Sequence, residues 1–108
     1  MTSRKLSEEI KRRIHAGETS FEGENLPGLD LSGMHSLENM NFKLCNLAGA
    51  NFRGSTLRGS DFRGADLASV TFEDADLERC RFLGPELGQT NCRGAEIEGV
   101  LIENRVLD

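Results

Sequence analysis

The feature that most constrains the fold of this 108-residue sequence is an apolar residue at every fifth position. The spacing is interrupted once, by six residues between Leu31 and Leu37. A period of five matches neither an α-helix nor an ordinary strand, so each unit must combine a short extended step with a turn. One such unit cannot bury its apolar centre alone, and the units must therefore wind into coils that stack. The centres are Phe21, Leu26, Leu31, Leu37, Phe42, Leu47, Phe52, Leu57, Phe62, Leu67, Phe72, Leu77, Phe82, Leu87, Cys92, Ile97, Ile102 and Leu107.

Three further positions keep the same phase. The residue two before the centre is mostly small, as at Ala50 and Ser60, and the residue between them is often Asn, Asp or Thr, which can hydrogen-bond to a nearby amide. Ten of the twelve glycines stand two residues after a centre, which predicts a turn with positive φ once per unit. We expect the centres and the small residues to face inward, and the other positions, such as Arg63, to face water.

Segments such as ANFRG, SDFRG, ADLAS and ADLER resemble the A-(D/N)-L-x-x unit of the pentapeptide-repeat family. The resemblance covers residues 19–108 and implies an all-β solenoid, a right-handed quadrilateral β-helix with four units per coil. The centres from residue 42 to 87 alternate between Phe and Leu, which independently favours an even number of sides, because like residues then stack on like. With four sides, Phe42, Phe62 and Phe82 form one ladder, and Phe52 and Phe72 form the opposite one.

Residues 1–18 are predicted to form a short capping α-helix and a lead-in, and residues 19–108 a single repeat domain. We expect Ser7 to be the N-cap of a helix that runs to about Ala16. Leu6, Ile10 and Ile14 would then cover the open end of the first coil. The alternative, a basic amphipathic helix on a membrane, is weaker because its apolar face has only three residues.

Two irregularities interrupt the repeat. The extra residue near Gly33, Met34 and His35 is expected to bulge at a corner, and its role is left open. Pro85 stands in the small-residue column, where it removes a backbone donor.

Cys45, Cys80 and Cys92 are odd in number and form no CxxC pair, so we predict reduced thiols in the core.

The net charge of −5 divides into +2 for residues 1–19 and −7 for residues 20–108. An acidic body argues against direct nucleic-acid binding, which needs a basic face. No apolar run approaches the roughly 18 residues of a membrane span, and the first residues are not typical of a signal peptide, so we expect a cytoplasmic location and no membrane association. His15 and His35 lack ligand-like neighbours, and we predict no catalytic, cofactor or metal site.

These observations favour a non-enzymatic protein-interaction module, a rigid rod whose protein partner the sequence does not name. The stretch AGETSFEGENL resembles the lead-in of bacterial members of the family, which implies a bacterial protein. The alternative is a DNA mimic that binds DNA gyrase or another type II topoisomerase, which a resemblance to the quinolone-resistance branch of the family would imply. The sequence also predicts no second capping helix over Ile102 and Leu107. An uncovered coil end invites pairing, so we expect a homodimer through the C-terminal coil. The alternative is a frayed final coil whose end is solvated by Arg105 and Asp108.

Overall fold

A computed structural model of the protein describes residues 1–104. Its regular elements are α1 (Ser3–His15), β1 (Arg81–Leu83), α2 (Gly84–Leu87) and β2 (Leu101–Glu103). From residue 19 to residue 80 the structure alternates turns with single bridging residues. Formal strands are short because each pentapeptide contributes one bridging residue before the chain turns again.

The bridges show how many units complete one coil. They are parallel and join residues twenty apart, such as Asn41 with Asp61 and Thr56 with Asp76, and β1 pairs with β2 at the same separation. Twenty residues are four pentapeptides, so the coil has four sides. We name them by their centres: side A (Phe21, Phe42, Phe62, Phe82, Ile102), side B (Leu26, Leu47, Leu67, Leu87), side C (Leu31, Phe52, Phe72, Cys92) and side D (Leu37, Leu57, Leu77, Ile97). Leu107 lies outside the described residues.

The interior is filled by the two predicted phenylalanine ladders. On side A the ring of Phe62 stacks on those of Phe42 and Phe82, with centroids 5.3 Å apart in both pairs. On side C the rings of Phe52 and Phe72 stack at 5.4 Å. The two ladders meet edge to face across the bore, a favourable arrangement for aromatic rings, and all these side chains are fully buried.

From Gly23 to Arg79, and again at Gly94 and Gly99, the residue two after each centre has positive φ whether or not it is glycine. Five other residues adopt this conformation: Asn39, Leu44, Ser69, Asp74 and Arg79. At Leu44, with φ of 61°, it is unusual for a bulky side chain. Gly84 is in phase with these turns but has no positive φ, because the chain enters α2 there.

The extra residue is absorbed by a β-bulge. The amide of Thr56 donates to the Met34 carbonyl at 2.8 Å, and its carbonyl accepts from the Leu37 amide at 3.2 Å, so two residues, His35 and Ser36, lie opposite one. Gly33 keeps a regular turn, with φ of 70°. The bulge therefore lies just beyond the corner at which we predicted it, and the bridges before it span 21 residues instead of twenty.

The capping helix begins earlier than predicted. Its N-cap is Thr2, whose hydroxyl accepts from the Lys5 amide at 3.2 Å, and Ser7 lies inside the helix. The prediction of Ser7 as the N-cap was wrong because Thr2 offers the same kind of hydroxyl five residues earlier, so that the helix starts ahead of Leu6 and includes the whole amphipathic pattern. Ile10 and Ile14 are buried in the core cluster, and Leu6 packs against it partly buried.

Pro85 has a structural explanation. It occupies the first turn of α2, where a helix does not use the backbone N–H that proline lacks. The unit centred on Leu87 is consequently helical at its start, and Leu87 is only partly buried instead of filling the bore.

Candidate interaction surface

Several charged side chains along the rod form ion pairs between stacked coils. Arg58 binds Asp76 at 2.5 Å on side D, and Arg53 binds Glu73 at 3.5 Å on side C. On side A the carboxylate of Glu103 contacts both Arg81 and Arg63. These ion pairs therefore neutralise much of the charge on the sides of the rod.

Arg63 is less exposed than its position in the repeat predicts. Its side chain is 12% exposed and binds Asp61 at 2.7 Å. Burial raises the pKa of Asp61, but the hydrogen bonds from Arg63 outweigh it and hold that pKa below its ordinary value. The expectation that Arg63 simply faces water was wrong, because Asp61 lies two residues before it and coil stacking adds the carboxylate of Glu103.

The N-terminal end of the solenoid is covered by α1. The buried hydroxyl of Ser7 accepts from the Asp30 amide at 2.9 Å and donates to the Ser3 carbonyl at 2.7 Å. In later coils the equivalent amides donate to a carbonyl of the preceding coil, as Asn51 does to Leu29. The Ser7 hydroxyl thus takes the place of a missing backbone acceptor.

Arg13 fastens the same helix to the first coil. Its guanidinium makes two hydrogen bonds of 2.7 Å to Glu24 and lies 4.6 Å from the centre of the Phe21 ring. It also binds Glu18 at 3.0 Å. The first coil is therefore closed by apolar, hydrogen-bonding and ionic contacts together.

The last described coil is different, because its apolar centres are open. Ile97 is 62% exposed and Ile102 51%, whereas Leu77, one coil earlier on side D, is fully buried. Leu101 is 55% exposed beside them. These three side chains form an apolar patch at the C-terminal end of the rod.

Backbone groups at this end also lack partners within residues 1–104. The amides of Phe72 and Leu77 donate to carbonyls of the last coil at 2.7 and 2.8 Å. The equivalent amides of Cys92 and Ile97 have no acceptor in the described part of the chain. The coil therefore ends in a row of open hydrogen-bonding groups, as an edge strand does.

Comparison with known proteins agrees with this geometry. A family model described as pentapeptide repeats matches residues 45–83 in eight copies. Among solved structures, alr5209, a pentapeptide repeat protein from Nostoc Pcc 7120, is 25% identical with a TM-score of 0.65, covering 93% of this chain and 88% of that one. Residues 45–83 of the chain thus match pentapeptide repeats, and the chain is similar over most of its length to a solved pentapeptide-repeat protein.

Two further pentapeptide-repeat proteins resemble it more distantly. One, from the Arabidopsis thaliana thylakoid lumen, is 27% identical with a TM-score of 0.37 and covers 81% of this chain and 70% of its own. The other, Rfr23 from Cyanothece 51142, is 20% identical with a TM-score of 0.24, over 79% of this chain and 60% of its own. No curated protein matches the sequence. Pentapeptide-repeat proteins are known to form a right-handed quadrilateral β-helix and are generally structural repeat proteins.

The three thiols of the chain divide into two groups. Cys45 and Cys80 are buried and donate to the carbonyls of Phe21 and Leu57, at 2.8 and 3.0 Å. Burial raises the pKa of Cys45 to about 11 and that of Cys80 to about 12. Cys92 is only partly buried, so the prediction of three core thiols was wrong for this residue, which lies in the open coil.

Of the residues predicted to form an interface, Ile102 lies in the exposed patch and Leu107 lies outside the described residues. Sequence reasoning missed Ile97 and Leu101. Leu101 could have been found, because the equivalent outward residues in the earlier coils are polar.

Within residues 1–104 there is no group of three side chains that could hold a metal ion, and none of the described helices is long and apolar enough to cross a membrane.

Proposed function

We propose that the chain is a member of the pentapeptide-repeat family and a non-enzymatic protein-interaction module of the bacterial cytoplasm, a rigid right-handed rod that binds through its C-terminal coil. Its partner at that end is a second copy of the chain. The observation that carries the proposal is the exposure of Ile97 and Ile102 at the ends of two ladders whose earlier centres are buried, together with the exposed Leu101 next to Ile102.

The last described coil supplies both an apolar and a hydrogen-bonding contribution to the association. Burying an exposed isoleucine contributes roughly 1.5–3 kcal/mol when it is removed fully from water. The open amides of Cys92 and Ile97 can at the same time gain acceptors from another strand edge. An end-to-end contact through one coil is small compared with stable interfaces, so we expect a weak, concentration-dependent dimer.

The test is light scattering or sedimentation of the wild type and of Ile97→Lys over about 1–200 μM, a range that spans weak dimers. Leu44→Lys is the matched control, because Leu44 is 54% exposed but lies on the flank of the rod. The proposal expects a dimeric wild type and control and a monomeric Ile97→Lys. A monomeric wild type at every concentration would reject self-association.

A second candidate, imitation of DNA towards DNA gyrase, is favoured by the acidic character of side D. That side carries Glu38, Asp76, Glu78, Glu96 and Glu98. Arg58 lies among them and neutralises Asp76, which weakens the candidate. A supercoiling assay separates the two functions, since a DNA mimic inhibits gyrase and a structural module does not.

A further inference from the structure

The hydrogen bonds between stacked coils have a direction. On side C the amides of Phe52 and Gly54 donate to carbonyls of the next coil, both at 2.9 Å. Only one bond returns, from the Thr71 amide to the Ala50 carbonyl at 3.1 Å. The same pattern recurs on side D. The later edge of a coil therefore offers two donors and one acceptor on each of these sides, and the earlier edge offers two acceptors and one donor.

The two ends of the rod keep this polarity. In the last described coil, sides C and D have four amides that donate to no residue within 1–104: Cys92, Gly94, Ile97 and Gly99. In the first coil, on sides A to C, six carbonyls at the accepting positions receive no amide from residues 1–104: Ser20, Glu22, Asn25, Pro27, Asp30 and Ser32. One end of the rod is thus rich in donors and the other in acceptors.

The apolar residues of the two ends match as well. The last coil exposes Ile97 and Ile102. The first coil has apolar centres on the same four-sided frame, and these are buried in one cluster with Ile10 and Ile14 of α1: Phe21, Leu26, Leu31 and Leu37. Without α1 the first coil would present an apolar surface with the same outline as the last coil.

From this we infer that the first coil is a docking surface for the last coil of a second copy, and that α1 masks this surface. In such a head-to-tail contact the second copy continues the solenoid. On sides C and D of the last coil, two donors then meet two acceptors, as they do between consecutive coils. The contact joins two different surfaces and does not close, so it adds copies without limit. By covering the first coil, α1 prevents this growth.

α1 hides the acceptor-rich edge and leaves its hydrogen-bonding groups unused. Within residues 1–104 the hydrogen bonds between α1 and the first coil come from two side chains, Ser7 to Asp30 and Arg13 to Glu24. No amide of α1 donates to the six open carbonyls. The docking surface is therefore complete beneath the helix. The inference goes beyond the proposed self-association, because it concerns the opposite end of the rod.

The inference is tested in the full chain by loosening α1. Arg13→Glu sets a carboxylate against Glu18 and Glu24, and Ile10→Asp/Arg13→Glu removes an apolar contact as well. Arg12→Glu is the matched control, because Arg12 is exposed on the same helix and forms no ion pair with a described residue. We expect both loosened chains to grow past two copies between about 10 and 200 μM in sedimentation velocity, whereas Arg12→Glu behaves as the wild type. Far-UV circular dichroism and the Tm verify that each variant folds.

Blocking one end of each chain shows which surfaces meet. Adding Ile97→Lys to a loosened chain is expected to stop its growth. That chain has an open first coil and a blocked last coil, and the wild type has the reverse. At a concentration at which the wild type is monomeric, the two should form a one-to-one complex. Arg12→Glu/Ile97→Lys, in which α1 stays closed, is the control and should not bind the wild type.

The outcomes separate this inference from the proposed function. Growth of the loosened chains that Ile97→Lys stops, together with the one-to-one complex, supports the masked surface. Loosened chains that keep the wild-type mass, growth that continues in the presence of Ile97→Lys, or absence of the one-to-one complex overturns it. A wild type that stays monomeric at every concentration counts only against the proposed self-association.

Discussion

The two ends of this solenoid have the same coil geometry, but the first coil is covered by a helix and the last described coil is open. At the N-terminal end α1 lays Ile10 and Ile14 on the first coil, and Ser7 supplies an acceptor for Asp30. At the other end of the described chain Ile97 and Ile102 remain open. A helix can therefore replace a missing coil, because it needs only an apolar face and one well-placed hydroxyl to satisfy the edge.

The middle of the rod is the reference for both ends, and a substitution there is expected to cause the largest loss of stability. Phe62 stacks between Phe42 and Phe82 and is fully buried, so Phe62→Ala should leave a cavity and lower the free energy of unfolding by about 3–5 kcal/mol. Denaturant unfolding measures this loss. Arg93→Ala, an exposed change, should cost under about 0.5 kcal/mol, and equal losses would show that the inward column is misassigned.

The second prediction compares the two ends directly by making the same isoleucine-to-alanine change at each. Ile10 is buried under α1 and Ile97 is exposed, so Ile10→Ala should cost about 2–5 kcal/mol, whereas Ile97→Ala should cost under about 1 kcal/mol. Unfolding is measured at low protein concentration, so that association does not add to stability. Comparable costs at the two positions would mean that the contrast between covered and open ends is wrong.

The third prediction concerns the hydroxyl that closes the N-terminal edge. Ser7→Ala removes a buried hydroxyl and leaves the Asp30 amide without its acceptor in a partly buried position, and we expect a loss of about 1–3 kcal/mol. Ser36→Ala is the control, since Ser36 is exposed in the bulge, and it should be nearly neutral. Hydrogen exchange at Asp30 should accelerate in Ser7→Ala; unchanged exchange there would argue that water replaces the hydroxyl at no cost.

The fourth prediction changes no residue and measures thiol labelling. A thiolate is the reactive form, and burial raises the pKa values of Cys45 and Cys80 to about 11 and about 12, so at pH 8 both stay protonated as well as inaccessible. Cys92, in the open coil, should label first under native conditions, and the other two only on unfolding. Mass spectrometry of the labelled protein assigns the order. Equal native rates for all three would contradict the burial of Cys45 and Cys80.

The sequence predicted the repeating interior well and its exceptions poorly. The phenylalanine ladders followed from a column of centres, because burial selects the same residue type at every turn. Ser7 could not be assigned, since its partner Asp30 is distant in sequence and Thr2 competes for the cap. Pro85 is compatible with both a strand edge and a helix start, and only the structure distinguishes them. Open-end residues such as Ile97 look like buried centres until the coil above them is known to be missing from residues 1–104.

The bulge at His35 and Ser36 has a consequence for how a rod of this kind can change length. One pentapeptide is a quarter turn, so gaining or losing a single unit rotates every later surface by one side, whereas twenty residues add a full coil and preserve each surface. The residue absorbed opposite Thr56 lengthens the chain without any such rotation. Side D beyond the bulge therefore keeps its alignment with the helix-capped end. The rod accommodates a one-residue insertion that would otherwise shift the phase of every later pentapeptide.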